Sequence, residues 1–104
     1  MSDAINDDQA QEKMKRIPEW ELSNASIVRS FEFDEYPLAI DFVNAVAKIA
    51  EEAFHHPDIF ISYTNVKLTL TTHDVGGLTE SDFEVAARID SLDSWSPDYL
   101  QELL

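Results

Sequence analysis

Two short alternating runs, Asp58–Tyr63 and Val66–Thr71, are separated only by Thr64-Asn65, and this constrains the fold more than any other stretch. Such runs read as antiparallel strands closed by a tight turn. A Thr64-Asn65 loop sets Tyr63 against Val66, Ile61 against Leu68 and Ile59 against Leu70. These apolar pairs share one face, which something else in the chain must cover. Ser62/Lys67 and Phe60/Thr69 occupy the other face. Continued in the same register, the hairpin brings His56 opposite His73, with Pro57 removing one ladder hydrogen bond on the way.

The cover is supplied upstream. Asp34-Glu35-Tyr36-Pro37 opens a helix, with acids and a proline in its first turn. Leu38, Phe42, Ala45, Ile49 and Ala53 then recur at helical spacing as one apolar stripe, with Asp41, Asn44, Lys48, Glu51 and Glu52 on the wet side. Ahead of it, Trp20–Leu22 and Ser26–Phe33 read as strands. In the second, Ile27, Arg29, Phe31 and Phe33 alternate with Val28, Ser30 and Glu32. A first helix is expected over Asp8–Arg16, stopping before Pro18 because the residue preceding a proline is pushed out of helical geometry. Residues 1–7 read as a flexible tail.

Past the hairpin, Gly76 and Gly77 permit positive φ or a close backbone approach, and equally make a simple turn. Thr79 caps a last helix through Asp90. Asp82 completes a capping box, and Leu78 is placed to staple to Phe83. Phe83, Val85, Ala86 and Ile89 face inward. Ser94–Leu104 is expected to add one helical turn. The order helix, strand, strand, helix, strand, strand, helix predicts an α+β fold: an antiparallel four-stranded sheet with three helices packed on one face. Residues 1–104 make a single domain, and the open sheet edge invites self-association.

Composition narrows the function. With 7 Lys and Arg against 21 Asp and Glu, the net charge is −14, and the basic residues are scattered. Direct nucleic-acid binding needs them clustered and is not expected. No apolar run approaches a membrane span and no signal peptide opens the chain, so a cytoplasmic protein with no membrane partner is expected. There is no cysteine, which removes disulfides, thiolate ligands and thiol nucleophiles together.

All three histidines flank the hairpin: His55 and His56 before it, His73 after it. Three readings compete. Histidines at a helix C-terminus gain from the macrodipole, which makes His55 and His56 a plain helix end. His73 and one of the pair, with Asp74 or Asp58, could hold zinc, although adjacent residues in an extended segment point to opposite sides. Alternatively, a neutral and a protonated histidine accept and donate protons on a bound flat heterocycle, walled by Phe54, Ile59 and Phe60.

The stretch AEEAFHHPDIFISYTNVKLTLTTHDVGGLTESD, from Ala50 to Asp82, closely resembles the pterin-4a-carbinolamine dehydratase family. The likeness is carried by the acidic helix end, His-His-Pro-Asp, the Tyr-x-x-Val hairpin, Thr-His-Asp, Gly-Leu-Thr and the later Asp. It continues more weakly through Trp20, Phe31 and Phe33. The resemblance implies dehydration of a 4a-hydroxytetrahydropterin to the quinonoid dihydropterin, with no metal and no organic cofactor. It implies acid–base work for His55 and His73 and substrate binding by His56. It places further substrate contacts at Phe54, Pro57, Thr71, Thr72 and Asp74, the last two offering polar groups. Homodimers or homotetramers follow from it, as does a pterin-dependent aromatic amino-acid hydroxylase as partner. The family also includes non-catalytic interaction and assembly factors on the same scaffold, the alternative expectation. Two positions depart from the family pattern: Phe54 stands where Asn or Asp is frequent, and Ile59 replaces a frequent Trp.

Overall fold

The computed structural model describes residues 4–92. Its elements are α1 (Asp7–Met14), β1 (Glu21–Ser23), β2 (Ser26–Glu32), α2 (Tyr36–Ala53), β3 (Asp58–Ser62), β4 (Asn65–Leu70), a 3-10 turn (His73–Val75) and α3 (Glu80–Asp90). The four strands form one antiparallel sheet in the order β1-β2-β4-β3, with the three helices packed on one face. The expected helical turn over Ser94–Leu104 lies outside the described residues. Among those described, no helix is long and apolar enough to cross a membrane.

The chain leaves β2 through α2, returns as the edge strand β3, and turns back so that β4 fills the place beside β2. The core lies between β4 and β2 on one side and α2 and α3 on the other. Ile27, Val66, Leu68 and Leu70 are buried against Phe42, Val46, Phe83, Ala86 and Ile89. Phe42 also meets Phe31 and Phe33, with ring centroids 4.7 and 4.9 Å away.

The hairpin is slipped by two residues from the register expected of a Thr64-Asn65 loop. Ser62 pairs with Asn65, Ile61 with Val66 and Ile59 with Leu68, so the loop is Tyr63-Thr64. Asn65 is drawn into β4 by its neighbour strand. Its amide donates to Glu32 Oε1 at 2.9 Å, the Thr64 hydroxyl donates to Glu32 Oε2 at 3.2 Å, and Phe33 N–H donates to the Thr64 carbonyl at 2.9 Å. A slip of two preserves the period, so Val66 and Leu68 still face the core. It does cancel the alignment of His56 with His73. Extending the observed register sets His56 against Thr71, and His73 lies beyond β4 in the 3-10 turn.

The apolar stripe of α2 is rotated from the expected one. Ala39, Phe42, Val46 and Ala50 are buried, while Leu38 and Ala45 are only half-buried. Two of these four buried residues are alanines, whose small side chains let neighbouring elements approach the helix axis closely. The end of α1 falls at Met14, two residues short of the expectation, and Ile17 and Trp20 beyond it are buried. The Trp20 indole and the Arg29 guanidinium both donate to Asp90 Oδ1 at 2.7 Å, tying the segment just before β1, β2 and the end of α3 together.

The amino-terminal segment is docked from Ile5 onward. Ile5 N–H donates to the Leu78 carbonyl at 2.7 Å, and Asn6 caps α1 in a reciprocal box with Gln9. Gly77 makes room for this arm, since a Cβ there would stand 3.1 Å from Ala4 Cβ. Lys13 and Arg16 both bridge Glu80 at the start of α3. Hydrogen bonds from Arg16 and then Lys13 hold the Glu80 carboxyl below its ordinary pKa. Its contribution to stability is complete above the ordinary glutamate range and is lost as pH falls through the lowered value. Glu80→Gln should cost no more than about 1 kcal/mol at neutral pH, because both pairs are solvent-screened. In urea titrations the variant and the parent should converge in acid.

Candidate active site

The site is built where three chain segments end close together: the C-terminus of α2, the exit from β4, and the N-terminus of α3. A Schellman arrangement stops α2. Phe54 N–H bonds to the Glu51 carbonyl at 3.2 Å and His55 N–H to the Ala50 carbonyl at 3.1 Å, with Phe54 left-handed at φ 55°, ψ 37°. That reversal delivers His55 and His56 to the sheet end. Opposite, Thr71 and Thr72 leave β4, and the 3-10 turn carries His73 and Asp74 before Gly76, at φ 65°, reverses the chain into α3.

These segments enclose an open cavity of about 250 Å³ lined by Phe54, His55, His56, Thr71, Thr72, His73 and Asp74. Pro57 does not line it; it is half-buried at the entry to β3. This volume is below the roughly 300–1,000 Å³ of drug-sized ligand pockets and suits one compact ring system. A larger depression, about 380 Å³, lies along β3 and β4 beside Asp58, Ile59, Phe60, Lys67 and Thr69, but it contains no histidine.

His55 is the anchored member of the set. Its Nε2 lies 2.6 Å from Oδ1 of Asp82, whose side chain is fully buried. The other carboxylate oxygen accepts from the Thr72 hydroxyl at 2.8 Å and from Thr79 N–H at 2.9 Å. Thr72 and Thr79 hydroxyls are themselves 2.9 Å apart. With Oδ2 filled by two donors, Oδ1 is the carboxylate oxygen that faces the ring, and an ionised Asp82 requires Nε2–H as the donor to it. Nδ1 is then the nitrogen left to act as acceptor. Asp82 thus does two jobs: it closes the α3 capping box and it sets the tautomer of a histidine 27 residues away.

His56 is exposed and its Nε2 lies 3.0 Å from Glu51 Oε1, on the last turn of α2. His73 and Asp74 are exposed, and neither side chain makes a hydrogen bond among the described residues. Thr71 directs its hydroxyl to the Ala25 carbonyl at 2.6 Å. Of the polar groups expected to meet a substrate, Thr72 is therefore committed to Asp82, while Asp74 is free to do so. The capping pattern accounts for Asp82 as a helix cap and leaves a histidine-orienting role optional; the structure shows that it reaches His55. Glu51 read as part of the wet helix face, and its place beside His56 follows from the reversal at Phe54. Among the described residues no three His, Asp or Glu side chains are arranged to hold a metal ion.

The family model described as Pterin 4 alpha carbinolamine dehydratase matches residues 3–92. Relatives bearing that family's name include one from Chloroflexus aurantiacus, 54% identical over 81 residues, covering 78% of this chain and 87% of the relative. Another, from Natronomonas pharaonis, is 42% identical over 92 residues, covering 88% of this chain and 98% of the relative. Among solved structures, a transcriptional coactivator/pterin dehydratase from Brucella melitensis superposes with a TM-score of 0.82 at 29% identity, over 86% of this chain and 98% of that one. A pterin dehydratase-like protein identified as a RuBisCO assembly factor in the alpha-carboxysome gives 0.59 at 28% identity, over 74% and 89%. The match across the whole of the described residues, together with the shared fold, establishes that this protein belongs to the pterin-4a-carbinolamine dehydratase family.

Proposed function

We propose that the chain dehydrates a 4a-hydroxytetrahydropterin to the quinonoid dihydropterin, with His55 and His73 moving the protons. The observation that carries this reading is the gathering of all three histidines on one cavity, with His55 backed by buried Asp82. His55 Nδ1 takes the N5 proton, and the N–H bonding pair becomes the second bond of C4a=N5. The C4a–O bond breaks with its electrons going to oxygen, and protonated His73 supplies the proton that lets the hydroxyl leave as water. The ring set regains its starting protonation through solvent, which reaches exposed His73 directly. Asp82 stabilises the imidazolium formed on His55 and holds its orientation. His56, steadied by Glu51, binds the pterin; Phe54, Thr71 and Asp74 complete the walls, and Pro57 sets the turn behind His56.

A coupled assay tests this. Carbinolamine generated by a pterin-dependent aromatic amino-acid hydroxylase, the natural class of partner for such an enzyme, is mixed with the protein. Quinonoid dihydropterin is expected to form faster than in the spontaneous reaction, and no acceleration overturns the proposal. The RuBisCO assembly factor shows that this scaffold also serves assembly, so an inactive protein would favour that second reading.

Self-association belongs to the same proposal. Strand β3 is an edge, and Ile59 and Phe60 along it and Tyr63 in the turn that follows are exposed. Sedimentation equilibrium is expected to give the mass of a homodimer or homotetramer, and a monomer at micromolar concentration would refute this part.

A further inference from the structure

We propose that Phe54 is a stacking platform at the cavity mouth, recognising its ligand through the face of a flat heterocycle; this rests on the pterin reading above. Phe54 occupies the left-handed position that ends α2, at φ 55°. Glycine or asparagine normally fills that position, since a Cβ there crowds the backbone. The strain is not offset by packing, because Phe54 is 85% exposed. Tyr63, the other aromatic residue with positive φ, is different: its ring stacks on Tyr36 with centroids 6.5 Å apart. Phe54 meets only the edge of His56, at 6.3 Å.

An unsupported aromatic ring in a strained backbone position is the kind of outlier that marks a binding function. Here it lines the histidine cavity, whose other lining residues are His55, His56, Thr71, Thr72, His73 and Asp74. Two of the wall's hydroxyls are already engaged, Thr71 with Ala25 and Thr72 with Asp82, so the ring face of a ligand has Phe54 as its main partner. The chemistry rewards that contact during turnover. C4a is tetrahedral in the carbinolamine and trigonal in the product, so the bicycle flattens as water leaves. A platform that prefers the flatter form stabilises the transition state more than the substrate.

Oxidised pterin, which is flat and stable, is the probe. Calorimetric titration of the parent and Phe54→Trp is expected to show comparable affinity, with Phe54→Ala and Phe54→Leu weaker by about tenfold, the scale of aromatic stacking on a base. Phe54→Gly should lose the same affinity yet melt a few degrees higher, because the left-handed strain is lifted. Equal affinity in parent and Phe54→Ala overturns the platform while leaving the dehydratase reading intact. A Phe54→Gly protein that melts well below the parent overturns it too, since the ring would then be a packing residue. A parent that neither binds pterin nor accelerates the dehydration removes the pterin reading, and the platform with it.

Discussion

Asp82→Asn is expected to lower kcat by about two to four orders of magnitude with the protein still folded, the scale seen when a histidine's carboxylate partner becomes an amide. The reason lies in counting donors. Asp82 accepts at Oδ2 from Thr72 and Thr79 and faces His55 Nε2 with Oδ1. An asparagine must turn its carbonyl toward Thr72 and the fixed Thr79 N–H, leaving its NH2 toward His55. Nε2 then has to accept, so the ring proton moves to Nδ1, and the nitrogen that should take the N5 proton has none of its lone pair to offer. Nitrogen NMR of His55 reads the tautomer directly and separates this effect from a loss of fold. A variant with parental kcat and an unchanged tautomer would reduce Asp82 to a helix cap. Asp82→Ala is expected to be worse for stability, by about 3–5 kcal/mol, because it strands buried donors around an empty site.

His55→Ala and His73→Ala should each reduce kcat by about 10²- to 10⁴-fold with modest change in KM, whereas His56→Ala should act mainly through KM. The two catalytic losses should not add. Once one histidine is gone the concerted passage of protons is broken, so removing the second costs little more. The asymmetry between the neighbours follows from the structure. His55 is mostly buried and braced by Asp82, as a base must be to hold its geometry, while His56 is exposed and leans on Glu51 at the surface. Stopped-flow assays of the three variants decide it. Equal losses confined to KM in all three would remove the division of roles.

Local features of this fold were readable because they depend on local chemistry. The α3 cap at Thr79, its box with Asp82 and the inward set Phe83, Val85, Ala86 and Ile89 follow from side chains within one or two turns, and the structure places them so. The rotation of the α2 stripe toward Ala39, Val46 and Ala50 was not readable, since it depends on which neighbours accept a close helix. Nor was the docking of Ile5 and Asn6, in a segment that reads as tail; the partner at Leu78 is distant in sequence. The hairpin shows both sides. Its parity was legible in the alternation of Ile59, Ile61, Val66 and Leu68, but its register was decided by Glu32 on the next strand, which captures Thr64 and Asn65.

The amino-acid sequence by itself determined the α+β class, the element order and the set of three histidines, because periodicity, capping and residue chemistry are properties of short segments. Only the tertiary structure decided how that set is organised. The register that would have paired His56 with His73 does not exist. The histidines meet instead because a left-handed Phe54 reverses the end of α2 toward the turn that follows β4. His55 gains its carboxylate from the first turn of α3. Such a partnership costs chain entropy to assemble and is stabilised only by the packed core beneath it, so it has no trace in the spacing of the residues that make it.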